Sequence, residues 1–293
     1  MALILEALAN LAVLIFILTS MFGMGLSLTL KQIGQALRNV RLVVLALVVN
    51  FAVVPLVAVL LLLAIPLAQP LAIGLFLLAT AAGAPFLPKL AQFAKGNLAA
   101  SVGLMVLLMV VTILYLPIVL PLLLPLVVPG VTVAVNPIDI ATSLIVVMLL
   151  PLGIGLLVKA RYEGTAETLR PTMNHASSFS MILLMVLILA LNFSAVVGTI
   201  GTGALLAAIV FIGASFGIGY LVGGPAADTK RVVGLATGQR NLSAALLVAA
   251  QNFQDPNVVV MVVVAGLVGL FLLVPIAAQL GKRAAAPPAP QPG

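Results

Sequence analysis

The stretch GLATGQRNLSAALLVAAQ, residues 234–251, sets one permanent charge, Arg240, among side chains that are otherwise small, apolar or neutral. What that charge can do depends on the solvent around it. The 293-residue chain is 64% hydrophobic and 6% charged, against about 45–50% and about 25% in an ordinary soluble domain, so it lives in a bilayer. A run of about 20 apolar residues crosses the hydrocarbon as a helix, whereas a barrel needs alternating ten-residue strands that this sequence lacks. The fold class is therefore all-α and polytopic. There is no cysteine, so disulfides, thiol nucleophiles and thiolate metal sites are excluded, and the lone His175 cannot build a histidine-ligated metal site.

Cutting the apolar runs at Pro/Gly, polar and charged punctuation gives nine spans, I to IX: 3–28, 42–65, 70–94, 98–126, 138–158, 175–197, 203–223, 232–252 and 257–280. The first run has neither the basic start nor the cleavage site of a signal peptide and reads as a retained span. The end KRAAAPPAPQPG, residues 282–293, reads as a disordered tail. With nine spans, Lys31, Arg38, Arg41, Lys89, Lys95, Lys159, Arg161, Arg170, Lys230, Arg231, Lys282 and Arg283 all fall on one side. That side is cytoplasmic, which puts the N-terminus outside, the C-terminus inside, and the protein in the cell (inner) membrane. The net charge of +7 is thus a topology signal; the basic residues lie scattered over short loops without interleaved aromatics and do not form a nucleic-acid surface.

Arg240 escapes that asymmetry. It lies about eight residues into its span, roughly 12 Å of helix rise, where an arginine costs about 2.5–3.5 kcal/mol to insert and usually faces a functional cavity. The competing reading is snorkelling to the interface or a structural bond to a backbone carbonyl. Thr237, Gly238, Gln239 and Asn241 surround it with polar groups and a point where the helix can unwind, which lipid tolerates only beside a cavity or inside protein. A second interruption stands in TAAGAPFLPKLAQFAKGN, residues 80–97, where Pro85 and Pro88 break the helix near 83–88. Lys89 and Gln92 follow the break, Lys89 being either functional or a snorkelling lysine close to Lys95. Interrupted spans in corresponding places of two halves point to a transporter site. Asn50, mid-span, needs an amide partner, and Gly213 and Gly217 form a G-x-x-x-G suited to close helix packing. An intramembrane enzyme would need a nucleophile, base or metal ligands at depth, and Asp139 and Asp255 lie near span ends; the chain reads as a non-enzyme. A receptor or scaffold would need no broken helices.

Four segments, SMFGMGLSLTLKQIGQAL (20–37), VVNFAVVPLVA (48–58), AKGNLAASVGL (94–104) and the opening stretch, together resemble the successive signatures of the bile acid:sodium symporter family, from about Met21 to about Leu280. The resemblance implies inverted repeats: 1–128 as a first repeat lacking its first helix (spans I to IV) and 137–281 as a second (spans V to IX). It implies a core of spans II, III, IV, VII, VIII and IX, a panel of spans I, V and VI, and two broken helices, 70–94 and 232–252, crossing near the membrane centre. It further implies a secondary transporter of a small organic anion, carboxylate or bile-acid-like, working by alternating access, with the anion and the bilayer as partners and no cofactor. The expected substrate and crossing site comprises Arg240, Asn241, Gln239, Thr237, Gly238, Lys89, Gln92 and Asn50. The family's sodium ligands transfer poorly. Their shared carboxylate falls on Ala236, a Ser-Asn pair falls on Leu87 and Pro88, and a threonine on Met105; Asn50, Ser101 and Gln239 remain as residual cation-site positions. Fixed cations, Arg240 and Lys89, stand where relatives bind free ones; the resemblance itself implies sodium coupling, with sodium as the candidate ion, whereas the lost carboxylate argues for uniport, exchange or proton linkage. A guanidinium also suits a carboxylate through two parallel hydrogen bonds.

Overall fold

The computed structural model describes residues 2–29, 31, 34, 38–131, 136–191 and 193–285. Among them every regular element is a helix: α1 (Ala2–Ser27), α2 (Val40–Ala64), α3 (Gln69–Thr80), α4 (Leu87–Phe93), α5 (Leu98–Val127), α6 (Pro137–Arg161), α7 (Glu163–Leu191), α8 (Phe193–Gly198), α9 (Ala204–Val222), α10 (Ala227–Gly238), α11 (Leu242–Asn252) and α12 (Pro256–Ala285). Five of these, α2, α5, α6, α9 and α12, are long and apolar enough to cross a membrane unaided. Their outward side chains match that solvent: Leu63, Leu126, Leu221 and Phe271 are each about three-quarters exposed, a surface that only lipid tolerates at this density. The protein is an all-α polytopic membrane protein.

Proline and glycine shape these helices. Pro55 and Pro151 each follow a five-residue π-helical turn, Val49–Val53 and Ile145–Leu149. Widening the turn moves the backbone so that a ring without an N–H fits the helix instead of ending it. Tyr115 completes the first of these, donating its hydroxyl to the Phe51 carbonyl at 2.6 Å, the group that Pro55 has no N–H to bond. In α1 and α6, Gly25 and Gly155 face each other so closely that a Cβ on either would strike the other helix's backbone. That contact seats α1 on α6, and α1 also runs along α7. The remaining long elements pack among themselves: α3 lies on α12 and α11, α10 on α9, and α9 on α12 and α2.

Two expectations need correction. Span VI was placed at 175–197, but α7 already starts at Glu163. Its first three turns carry Glu163, Glu167, Arg170 and Asn174, so hydropathy misses a stretch that is nonetheless helical, with Glu163 at the dipole-favoured N-terminus. A Cβ on Gly213 or Gly217 would meet nothing within 4 Å among the described residues, so this pair does not seat a neighbouring helix there. The residues α9 buries are instead Ala204, Ala207, Ala208, Phe211, Ile212, Ser215 and Gly219, and at Gly219 α10 comes so near that a Cβ would strike Val233 and Thr237. Helix α12 continues to Ala285; the rest of the expected tail, 286–293, and positions 30, 32–33 and 35–37 of the first quoted motif lie outside the described residues.

Candidate functional site at the crossing of two broken helices

Each of the expected interruptions is present, and each follows a helix of 12 residues. After α3 the backbone runs extended from Ala81 (φ −101°, ψ 101°); after α10 it does so at Gln239 (φ −84°, ψ 117°). The two unwound segments touch. The Asn241 backbone N–H donates to the Ala81 carbonyl at 2.8 Å, and its side-chain amide donates to the Gly83 carbonyl at 3.1 Å. The Asn241 side-chain oxygen meanwhile caps α11, accepting from the Ala244 N–H at 3.1 Å. Thr112 on α5 serves the other strand: its hydroxyl accepts from the Ala82 N–H at 2.9 Å and donates to the Ala82 carbonyl at 3.0 Å. Peptide groups freed by the break thereby regain partners, without which unwound backbone would not persist in a membrane. Gly83 makes the turn possible, with φ at 79° and no room for a Cβ beside the Met109 backbone.

Arg240 sits at the centre of this crossing, 5% exposed. Its Nε donates to the Leu78 carbonyl at 3.2 Å and Nη2 to the Ala79 carbonyl at 2.7 Å; Nη1 donates to Asn50 Oδ1 at 2.8 Å and to the Thr237 carbonyl at 3.3 Å. Leu78 and Ala79 belong to the last turn of α3 and Thr237 to the last turn of α10, where carbonyls carry the negative end of the helix dipole and have spare acceptor capacity; the Leu78 carbonyl also accepts from the Ala81 N–H at 3.2 Å. The guanidinium therefore joins two converging helix C-termini. Asn50 holds its place from the π-turn of α2, its Nδ2 donating to the Ala46 carbonyl at 2.9 Å and to Thr237 Oγ1 at 3.3 Å. The ion pairs among the described residues join Lys159 to Glu163 and Glu167, so no carboxylate accompanies Arg240.

A cavity of about 770 Å³ opens beside the crossing. One wall is Phe16, Ser20, Met24 and Ser27 of α1 with Asn174, Ser177, Ser178 and Met181 of α7; the other is Pro85, Phe86, Lys89, Gln239, Arg240 and Ser243. Two buried polar atoms on the second wall, Gln239 Oε1 and Ser243 Oγ, have no hydrogen-bond partner among the described residues. Ser243 lies in the first turn of α11, where the helix presents partial positive charge.

The structure thus gathers Asn50, Thr237, Gly238, Gln239, Arg240 and Asn241 at one place, as the sequence reading expects. It does not bring Lys89 or Gln92 there. Lys89 Nζ points to Gln92 Oε1 at 3.4 Å and over the Phe93 ring at 5.2 Å, so Lys89 is exposed on the cavity wall and supplies no second cation to the crossing. Ser101 is buried, but its hydroxyl donates to its own helix, to the Leu98 carbonyl at 2.7 Å. The residues present do not fit a family-type sodium site: Ala236, Leu87 and Met105 are buried without a side-chain oxygen to offer, Asn50 Oδ1 is taken by Arg240, the Ser101 hydroxyl is turned to its own helix, and Gln239 Oε1 is left as a single neutral oxygen. Among the described residues there is also no cluster of three acidic, histidine or cysteine side chains. Sequence reading missed Thr112, Tyr115, Ser243 and the polar wall Ser20, Ser27, Asn174, Ser177 and Ser178. The last three stand at helical spacing, but a span start set at 175 hides their common face.

Such a crossing of interrupted helices, beside a largely apolar cavity that carries polar side chains on both walls, in an all-helical membrane protein, defines a membrane transporter fold. The chain belongs to the sodium bile acid symporter family, whose model matches residues 13–199, more than half its length. Members of that family are transporters and not enzymes. No curated protein matches the sequence.

Proposed function

We propose that this protein is a secondary transporter of a small organic anion, a carboxylate or a bile-acid-like acid, working by alternating access. The observation that carries the reading is the cavity between two packing groups, with polar side chains on both walls and unpaired buried atoms at its crossing end. In this reading α1, α6 and α7 form the panel, the other long helices form the core, and the residues of the crossing move with the core. The anionic group of the substrate lies at the start of α11, against the Ser243 hydroxyl, where helix dipole and the nearby Arg240 charge favour it, while Gln239 Oε1, an acceptor, suits a hydroxyl or other donor on the substrate. Lys89 adds attraction along the wall, and the apolar remainder of the lining takes the body of the acid. Arg240 acts through its field rather than through a carboxylate fork, because its donors are engaged by protein oxygens. Uptake of labelled monocarboxylates into proteoliposomes tests this; absence of flux for every acid tried, with binding unaffected by acids, would refute it.

The orientation follows from the lysine and arginine asymmetry, with α1, α7 and the broken pairs α3–α4 and α10–α11 completing nine spans. Lys89 and Asn174, which line the cavity, lie toward the basic side, which in this reading is the cytoplasm. The chain lacks cysteine, so single cysteines can report sidedness. Gln69→Cys should react with an impermeant maleimide in intact cells, and Lys282→Cys only after lysis. The opposite pattern would reverse the topology.

A further inference from the structure

The oxygens around Arg240 form an arrangement with its own meaning. Leu78 O, Ala79 O, Thr237 O and Asn50 Oδ1 converge on one buried point from three helices, and no carboxylate is among them. Three of the four are main-chain carbonyls at helix C-termini, where the peptide dipoles concentrate negative potential. Left alone, such a cluster repels itself and leaves buried acceptors without donors. A cation is needed. A free monovalent ion there would meet neutral oxygens only, with no carboxylate to neutralise its charge, so it would be held less firmly than an ion beside a fixed anion. A cation tethered to the chain within the break that follows α10 is present at high effective concentration and cannot leave.

We propose that this cluster is a monovalent-cation site that the chain fills permanently with its own guanidinium, so that the crossing is fully formed without sodium and the transport cycle contains no sodium-binding step. The cycle clause rests on the transport reading above; the site itself does not. The molecule repeats the device at its edge, where Arg231 Nη1 donates to the Ala94 and Lys95 carbonyls beyond the end of α4, at 3.4 and 3.2 Å. Both arginines thus serve the carbonyl end of a short half-helix, one at the surface and one at the centre.

Chemical rescue tests the proposal by a readout independent of transport. Purified wild-type protein and Arg240→Ala are melted in choline, sodium, potassium and millimolar, non-denaturing guanidinium chloride. The variant should melt below wild type in choline and regain several degrees in guanidinium, with a smaller gain in sodium or potassium. Wild type should not respond to any of them. An Arg240→Ala protein that folds and ignores every cation equally would overturn the proposal, leaving Arg240 a simple structural crosslink. Stabilisation of wild type by sodium over potassium would overturn it as well, and that arm stands even if Arg240→Ala fails to fold. Because no arm uses an anion, a failed transport assay and a failed cation site are told apart.

Discussion

Arg240→Lys should lower anion uptake per membrane-inserted protein by at least about tenfold, although it keeps the charge. The guanidinium reaches its four oxygens through three nitrogens in a fixed plane. An ammonium is compact, strongly hydrated and lacks that fork, so one or two of the carbonyls lose their donor. Each buried acceptor left unpaired costs about 1–3 kcal/mol, and 1.4 kcal/mol is tenfold in an equilibrium. Arg240→Ala removes every one of these bonds and should both abolish uptake and cost about 2–5 kcal/mol of stability, the higher figure applying where water fails to enter. Hydropathy alone gives the opposite sign, since deleting a membrane charge relieves an insertion cost of about 2.5–3.5 kcal/mol; the bonds decide against it. Lys89→Ala is the comparison, because among the described residues its amine meets Gln92 and the Phe93 ring. It should weaken apparent affinity while sparing the maximal rate. Normal uptake and melting by Arg240→Ala would remove Arg240 from the site.

Gly83→Ala should be nearly as damaging from a single added methyl. The residue lies at φ 79°, where a side chain costs about 1–2 kcal/mol, and its Cβ would overlap the backbone nitrogen and Cα of Met109. Backbone cannot swing aside as a flexible side-chain tip can. Helix α5 must shift, and Thr112, one turn away, then loses its paired bonds to Ala82. A combined cost above about 4 kcal/mol is expected, the range reserved for core overlap joined to broken buried hydrogen bonds. Gly213→Ala on α9, which meets open space, should stay within about 0.5 kcal/mol. Melting both variants in the same detergent checks the pair, and a Gly83→Ala protein as stable as Gly213→Ala would mean the crossing turn is not held as described.

Much of this arrangement is written in the chain. Pro85 and Pro88, and the Gly238–Asn241 segment, mark breaks that the structure places at 81–86 and 239–241, because a missing N–H and a missing Cβ act locally and can be read locally. Hydropathy also finds the long spans, since lipid contact and core packing both demand apolar side chains. It fails for the first turns of α7, where helix formation needs no lipid. The partners of Arg240 are a different matter. Three of them are peptide oxygens some 160 residues away or within the same turn, and a carbonyl has no letter in a sequence. For that reason Arg240 alone leaves open whether its fork grips a carboxylate or a backbone, and Lys89, a similar charge beside a similar break, looks equivalent until the geometry separates them. Thr112 is illegible for the same reason, as its hydroxyl matters only through the peptide it meets.

Uptake of a labelled monocarboxylate into proteoliposomes holding wild-type protein, with all sodium exchanged for potassium, bears most directly on the whole account. Because the cation of the crossing is Arg240, the rate should change by less than about tenfold, or 1.4 kcal/mol. Uptake that collapses in potassium and returns in proportion to added sodium would contradict it.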